Sequence, residues 1–129
     1  MKKMLKDLLL ARRLWHALLI LLLLVISYLA LSPAPPKALD SGWDKLNHLA
    51  AFGSLAFCAF YGAAHARGRW LLAPLALLGY GVLIELLQSQ LPPRSAEAAD
   101  VLADALGIAL GLALAAALAR LGRLPLTRS

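Results

Sequence analysis

The sequence predicts an all-α, polytopic membrane protein, a bundle of four transmembrane helices in a single domain over residues 1–129. Three observations carry that prediction. Of the 129 residues, 61% are hydrophobic and the mean hydropathy is +0.74, more apolar surface than a soluble domain of this size can bury. The apolar residues fall into four runs, each about the 20 residues that a helix needs to cross a bilayer. The basic residues stand beside and between those runs, where membrane helices carry their orienting charges.

The first run covers residues 14–31 and carries no charge apart from His16; it stops at Ser32-Pro33-Ala34-Pro35-Pro36, where helix cannot continue. The second covers residues 44–66, the third residues 70–91 and the fourth residues 100–121. Pro92-Pro93 closes the third run as Pro33 closes the first. Residues 1–34 also have the basic start and apolar core of a signal peptide, but that core is about 18 residues against the usual 7–15, so the segment is expected to stay as an anchor.

Ten of the thirteen basic residues fall on one side: Lys2, Lys3, Lys6, Arg12, Arg13, Arg67, Arg69, Arg120, Arg123 and Arg128. Lys37, Lys45 and Arg94 fall on the other. The positive-inside rule puts both termini and the short second loop in the cytoplasm of a bacterial inner membrane. Trp15 and Trp70 lie at the expected inner boundaries and Trp43 at an outer one. A net charge of +6 invites a nucleic-acid reading, yet the charges form no stripe interleaved with aromatics, and no nucleic-acid partner is expected. The lone Cys58 sits inside an apolar run; it excludes an internal disulfide and reads as a small helix-contact residue.

The acidic residues divide the opposite way. Only Asp7 is on the basic side, whereas Asp40, Asp44, Glu85, Glu97, Asp100 and Asp104 are all at the outer side. Acidic residues contribute little to orientation, so another cause is needed. Asp44 and His48 are four apart and share a helix face; Glu85 and Gln88, three apart, do the same; so do Asp100 and Asp104. Lys45 and Arg94 sit beside these pairs. Three helices therefore bring polar pairs to one membrane depth, and a polar pocket is expected there. Glu85, about 22 Å along its helix, would lie within hydrocarbon, where a bare carboxylate costs about 2–3 kcal/mol or more. It must face the bundle interior, with Lys45, His48 or Arg94 as partner. A structural ion pair would satisfy the same requirement. His16 and His65 read as interfacial.

Small residues mark two packing seams. Ala103, Gly107, Gly111, Ala115 and Ala119 repeat every four residues in the fourth run, and Ala50, Ser54, Cys58, Gly62 and Ala66 in the second. Such seams let backbones approach closely, within the bundle or in a homo-oligomer.

Asp44-Lys45-Leu46-Asn47-His48 with Phe52, then Glu85-Leu86-Leu87-Gln88, then Arg94, then Asp100-Val101-Leu102-Ala103-Asp104-Ala105-Leu106-Gly107 with Gly111, resembles the VanZ-like family over residues 44–114. Each piece alone is weak; the set, in this order and spacing, is specific. The resemblance implies a small helical membrane protein of the cell envelope. The family's founding activity is resistance to the glycopeptide antibiotic teicoplanin, achieved without altered peptidoglycan precursors. Where many relatives carry Asn four residues after the final-helix Asp, this chain has Asp104. The extra carboxylate favours metal binding, or a proton shared with Asp100.

Two functions stay open. In the first, Asp44, Lys45, His48, Glu85, Gln88, Arg94, Asp100 and Asp104 form an outward-facing site for membrane lipids or a lipid-linked cell-wall precursor, with Lys45 and a bidentate Arg94 on phosphate or carboxylate. In the second the protein is a membrane enzyme on a lipid-linked substrate, with Glu85, His48 and Asp100 as the catalytic candidates. Asp44, His48, Glu85, Asp100 and Asp104 would then supply ligands for a divalent metal, or Glu85 or His48 a general base. No nucleophile motif accompanies them. A transporter is disfavoured, because the inner half of the bundle is almost wholly apolar.

Overall fold

The computed structural model describes residues 1–32, 44–63, 65–91, 97–122 and 124. They form five α-helices: α1 (Lys2–Leu9), α2 (Arg12–Leu31), α3 (Asp44–Gly62), α4 (Ala73–Gln88) and α5 (Ala98–Leu121). A π-helical turn, Gly68–Leu72, runs directly into α4. Pro74 at the start of α4 cannot donate to the carbonyl four residues back, and the turn before it widens accordingly. At the other end of α2, Ser32 adopts φ −77°, ψ 134°, the extended conformation a following proline imposes.

Among the described residues, three helical stretches can cross a membrane by length and composition: Arg12–Leu31, Gly68–Gln88 and Ala98–Leu121. The expected fourth, α3, is not among them. Asp44, Lys45, Asn47 and His48 occupy its first turns and lower its hydropathy. It is also the most enclosed helix, with Phe52, Leu55, Ala56, Cys58, Ala59, Phe60, Tyr61 and Gly62 buried. A helix ringed by protein has no need of an apolar outer surface. α2 is the opposite case: Ile20, Leu21, Leu24 and Tyr28 are all exposed.

α3 and α5 make the largest interface, and α2 flanks α3. The small residues of α5 are buried along its length, as their spacing predicts. On the first half of α3 the contact stripe lies one residue from the expected one, whereas Cys58 and Gly62 of the expected stripe are buried. A Cβ on Gly107 would sit 2.6 Å from the Leu49 carbonyl oxygen and 3.2 Å from the Gly53 nitrogen, and a Cβ on Gly111 would run into the Gly53 carbonyl. Gly53, not Ser54, is thus the crossing point. Ala50 and Ser54 are exposed, and the Ser54 hydroxyl donates to the Ala50 carbonyl at 2.8 Å. Gly62 packs instead against the His16 ring, which a Cβ there would meet at 2.7 Å. His16 therefore touches the bundle.

The two ends of the bundle differ in chemistry. One is aromatic: Trp15, Phe57 and Tyr61 pack with centroids 5.2–5.5 Å apart, and Arg69 lies over Phe60 at 4.5 Å. There α1, absent from the sequence expectations, folds back on the bundle. Leu9 is buried, and the Trp15 indole N–H donates to the Leu8 carbonyl at 3.0 Å. The opposite end is polar. Pro33, Lys37, Asp40, Trp43, Arg94 and Arg123 lie outside the described residues.

Candidate functional site

The polar end is built from the first two turns of α3, the last turns of α4 and the first two turns of α5. At the centre is His48. Its Nδ1 lies 2.7 Å from Asp104 Oδ1. Its Nε2 faces three carboxylates from three helices: Asp44 Oδ2 at 3.7 Å, Glu85 Oε1 at 3.6 Å and Asp100 Oδ2 at 3.8 Å. When Nδ1 donates to Asp104, the neutral imidazole leaves its Nε2 lone pair facing those three carboxylates. Lys45 stands to one side, its ammonium 2.8 Å from Glu97 Oε2 and hydrogen-bonded to Asp100.

Burial makes this cluster costly. Asp104 is fully buried, Asp100 is 1% exposed, and Glu85 and Gln88 are 6% exposed. Five carboxylates (Asp44, Glu85, Glu97, Asp100 and Asp104) surround one ammonium and one imidazole. Two buried acid oxygens, Glu85 Oε1 and Asp104 Oδ2, have no hydrogen-bond partner among the described residues. The other Glu85 oxygen accepts the Glu97 backbone N–H at 3.2 Å, which ties α4 to the start of α5. Asp104 Oδ2 sits where a side chain on Gly81 would be, 2.6 Å from its Cβ position. Gly81 is what lets α4 approach that carboxylate. Asp44, His48 and Asp100 each offer a ligand atom, all within 4.8 Å of one another.

The structure therefore brings together six of the eight expected site residues: Asp44, Lys45, His48, Glu85, Asp100 and Asp104. Gln88 is on the same side, but its amide donates to the Ala30 carbonyl at 2.9 Å and locks α4 to α2. Arg94 lies outside the described residues. Five residues outside the expected site set also contribute. Glu97, at the N-terminal boundary of α5, shares Lys45. Gly81 and Phe52 pack beside Asp104. Ser27 and Tyr80 join hydroxyls at 2.6 Å across α2 and α4, and polar residues inside two apolar runs were the signal for that pair.

A groove of about 340 Å³ leads away from the cluster between α2, α3 and α4. Asp44, His48 and Gln88 line its polar end; Leu22, Ile26 and Ile84 give it apolar walls, with Ser54 further along. One continuous surface thus passes from buried carboxylates to aliphatic side chains.

The sequence model of the VanZ/LLP1 family matches residues 11–120. That match includes every residue of the polar cluster and the whole of α2 to α4. No curated protein and no solved structure matches the chain.

Proposed function

The chain belongs to the VanZ/LLP1 family, and from that premise we propose an envelope protein with an outward-facing site for a lipid-linked component. The occupant we favour is a lipid-linked cell-wall precursor. All four long helices, α3 included, span the bacterial inner membrane, with both termini in the cytoplasm and the carboxylate cluster outside. The excess of Lys and Arg at the aromatic end supports that orientation. A reporter active only outside the membrane, fused at the C-terminus, stays silent under this topology.

The single observation that carries the reading is the groove, which joins an aliphatic wall to a polar end. Ligand sites commonly combine apolar walls with a few convergent polar groups. A chain lying along Leu22 and Ile26 would present its head group to Asp44, His48 and Gln88. Carboxylates accept hydrogen bonds, so they suit the hydroxyl, amide and ammonium donors of a sugar–peptide head group. Binding or modulating such a component is also a route to teicoplanin resistance, the activity for which the family was first known.

A photoreactive lipid-linked sugar–peptide tests the reading directly. It labels α2 and α3 in the wild type, and Ser54→Trp, which fills the groove, cuts that labelling at least fivefold. Labelling unchanged by Ser54→Trp refutes the groove as the site. Resistance is read separately, as teicoplanin susceptibility of a sensitive host at matched membrane levels. Protection by the wild type is lost in Glu85→Gln and in Asp100→Asn; a wild type that gives no protection removes resistance from the proposal. The second reading, a metal-dependent membrane enzyme, is favoured by the closeness of Asp44, His48 and Asp100. Conversion of the bound lipid, as opposed to retention, distinguishes it.

A further inference from the structure

We propose that His48 Nε2, Asp44, Glu85 and Asp100 form a binding site for one first-row divalent cation such as Zn²⁺ or Mn²⁺, with Asp104 orienting the histidine. The inference rests on the reading of the polar end as the functional site and adds what that site holds. Its geometry is that of a ligand shell. The three carboxylate oxygens lie 3.6–3.8 Å from His48 Nε2, beyond ordinary hydrogen-bond length. The edge of a tetrahedral site with bonds of about 2.1 Å is about 3.4 Å. Asp44, His48 and Asp100 each place a ligand atom within 4.8 Å of the other two, and Glu85 Oε1 approaches the same Nε2 at 3.6 Å, so side-chain adjustment brings these atoms around an ion.

Two independent observations point the same way. Glu85, 6% exposed, carries an oxygen, Oε1, that has no hydrogen-bond partner among the described residues and lies 3.6 Å from His48 Nε2. A buried acceptor without a donor is costly unless something positive meets it. The Nδ1 side of His48 is held by Asp104 at 2.7 Å, the arrangement in which a carboxylate fixes the tautomer and ring direction of a metal-bound imidazole. Lys45 is hydrogen-bonded to Glu97 and Asp100 and lies 4.0 Å from Asp44, so one ammonium serves three carboxylates, and no ion pair joins it to Glu85 among the described residues. A mixed set of one imidazole and three carboxylates suits a first-row transition cation better than Mg²⁺ or Ca²⁺, which favour oxygen ligands alone.

The test uses the full chain in detergent, stripped with chelator and dialysed against Zn²⁺ or Mn²⁺, with bound metal counted per chain by elemental analysis. The wild type takes up about one equivalent of one of them. His48→Ala and Glu85→Gln lose it. Asp44→Asn, at an exposed position that tolerates exchange without unfolding, weakens affinity at least tenfold. Asp104→Asn keeps the stoichiometry with affinity reduced about 10–100-fold. Helical content by circular dichroism accompanies each variant. Less than a tenth of an equivalent in the wild type, or binding by Asp44→Asn and His48→Ala equal to wild type, overturns the site. Lipid labelling on the same preparations fails or succeeds independently, so loss of the metal proposal is distinguishable from loss of the lipid reading.

Discussion

Adding one methyl group at Gly107 tests whether the α3–α5 crossing positions the polar end. The Cβ of Gly107→Ala would stand 2.6 Å from the Leu49 carbonyl oxygen, where ordinary contact starts near 3.4 Å. The obstruction is backbone, so rotamer change cannot relieve it, and α3 must move away by about 0.8 Å. A gap of that size forfeits about a quarter to a half of the dispersion energy of each contact along the seam. Overpacking of this kind costs about 1–3 kcal/mol, or roughly 5- to 150-fold in the folded population. The assay is thermal or denaturant unfolding of purified protein in detergent. Gly79→Ala is the internal control: nothing lies within 4 Å of its Cβ position, and it gains up to about 1 kcal/mol of helix propensity. Equal stability of Gly107→Ala and wild type refutes the crossing, and so does a Gly79→Ala as damaged as Gly107→Ala.

Other positions give further expectations. Lys45→Met leaves the buried Asp100 carboxylate without its ammonium; less protein accumulates in the membrane by immunoblot, and adding Asp100→Asn restores part of it, whereas a double variant no better than the single one contradicts the pairing. Tyr80→Phe removes the hydroxyl that meets Ser27 at 2.6 Å and lowers stability by about 0.6–1.7 kcal/mol. Combining it with Ser27→Ala adds little more, as a double-mutant cycle on unfolding in detergent measures; full additivity would show that the two hydroxyls act separately.

Much of the site was legible because helical spacing is rigid. Residues four apart share a face whatever the tertiary fold, so Asp44 with His48 and Asp100 with Asp104 could be paired from the chain alone. Glu85 could be turned inward because lipid penalises a bare carboxylate. The partner of Lys45 could not be read the same way. Glu97 stands just before a helix, where no periodicity applies, and it reaches Lys45 only through the packing of α5 on α3. The α3 seam was legible only in its second half, where Cys58 and Gly62 are buried. In its first half Ala50 and Ser54 are exposed, and the neighbouring stripe makes the contact. The deciding feature was a single glycine, Gly53, opposite two others. α3 itself shows how a count based on hydropathy depends on surroundings: the helix most enclosed by protein is the least apolar of the four long ones.

That enclosure has a consequence for biogenesis. α3 leaves the ribosome before α4 and α5, carrying Asp44, Lys45 and His48 ahead of the carboxylates of Glu85, Glu97, Asp100 and Asp104 that meet them in the fold. Its acidic and glycine partners, Glu85, Asp100, Asp104, Gly107 and Gly111, all arrive later in the chain. With α3 read as a span, its residence in the bilayer is provisional until α5 has been synthesised and has docked. The carboxylate cluster is then assembled last, and the same docking event that completes the fold completes the site.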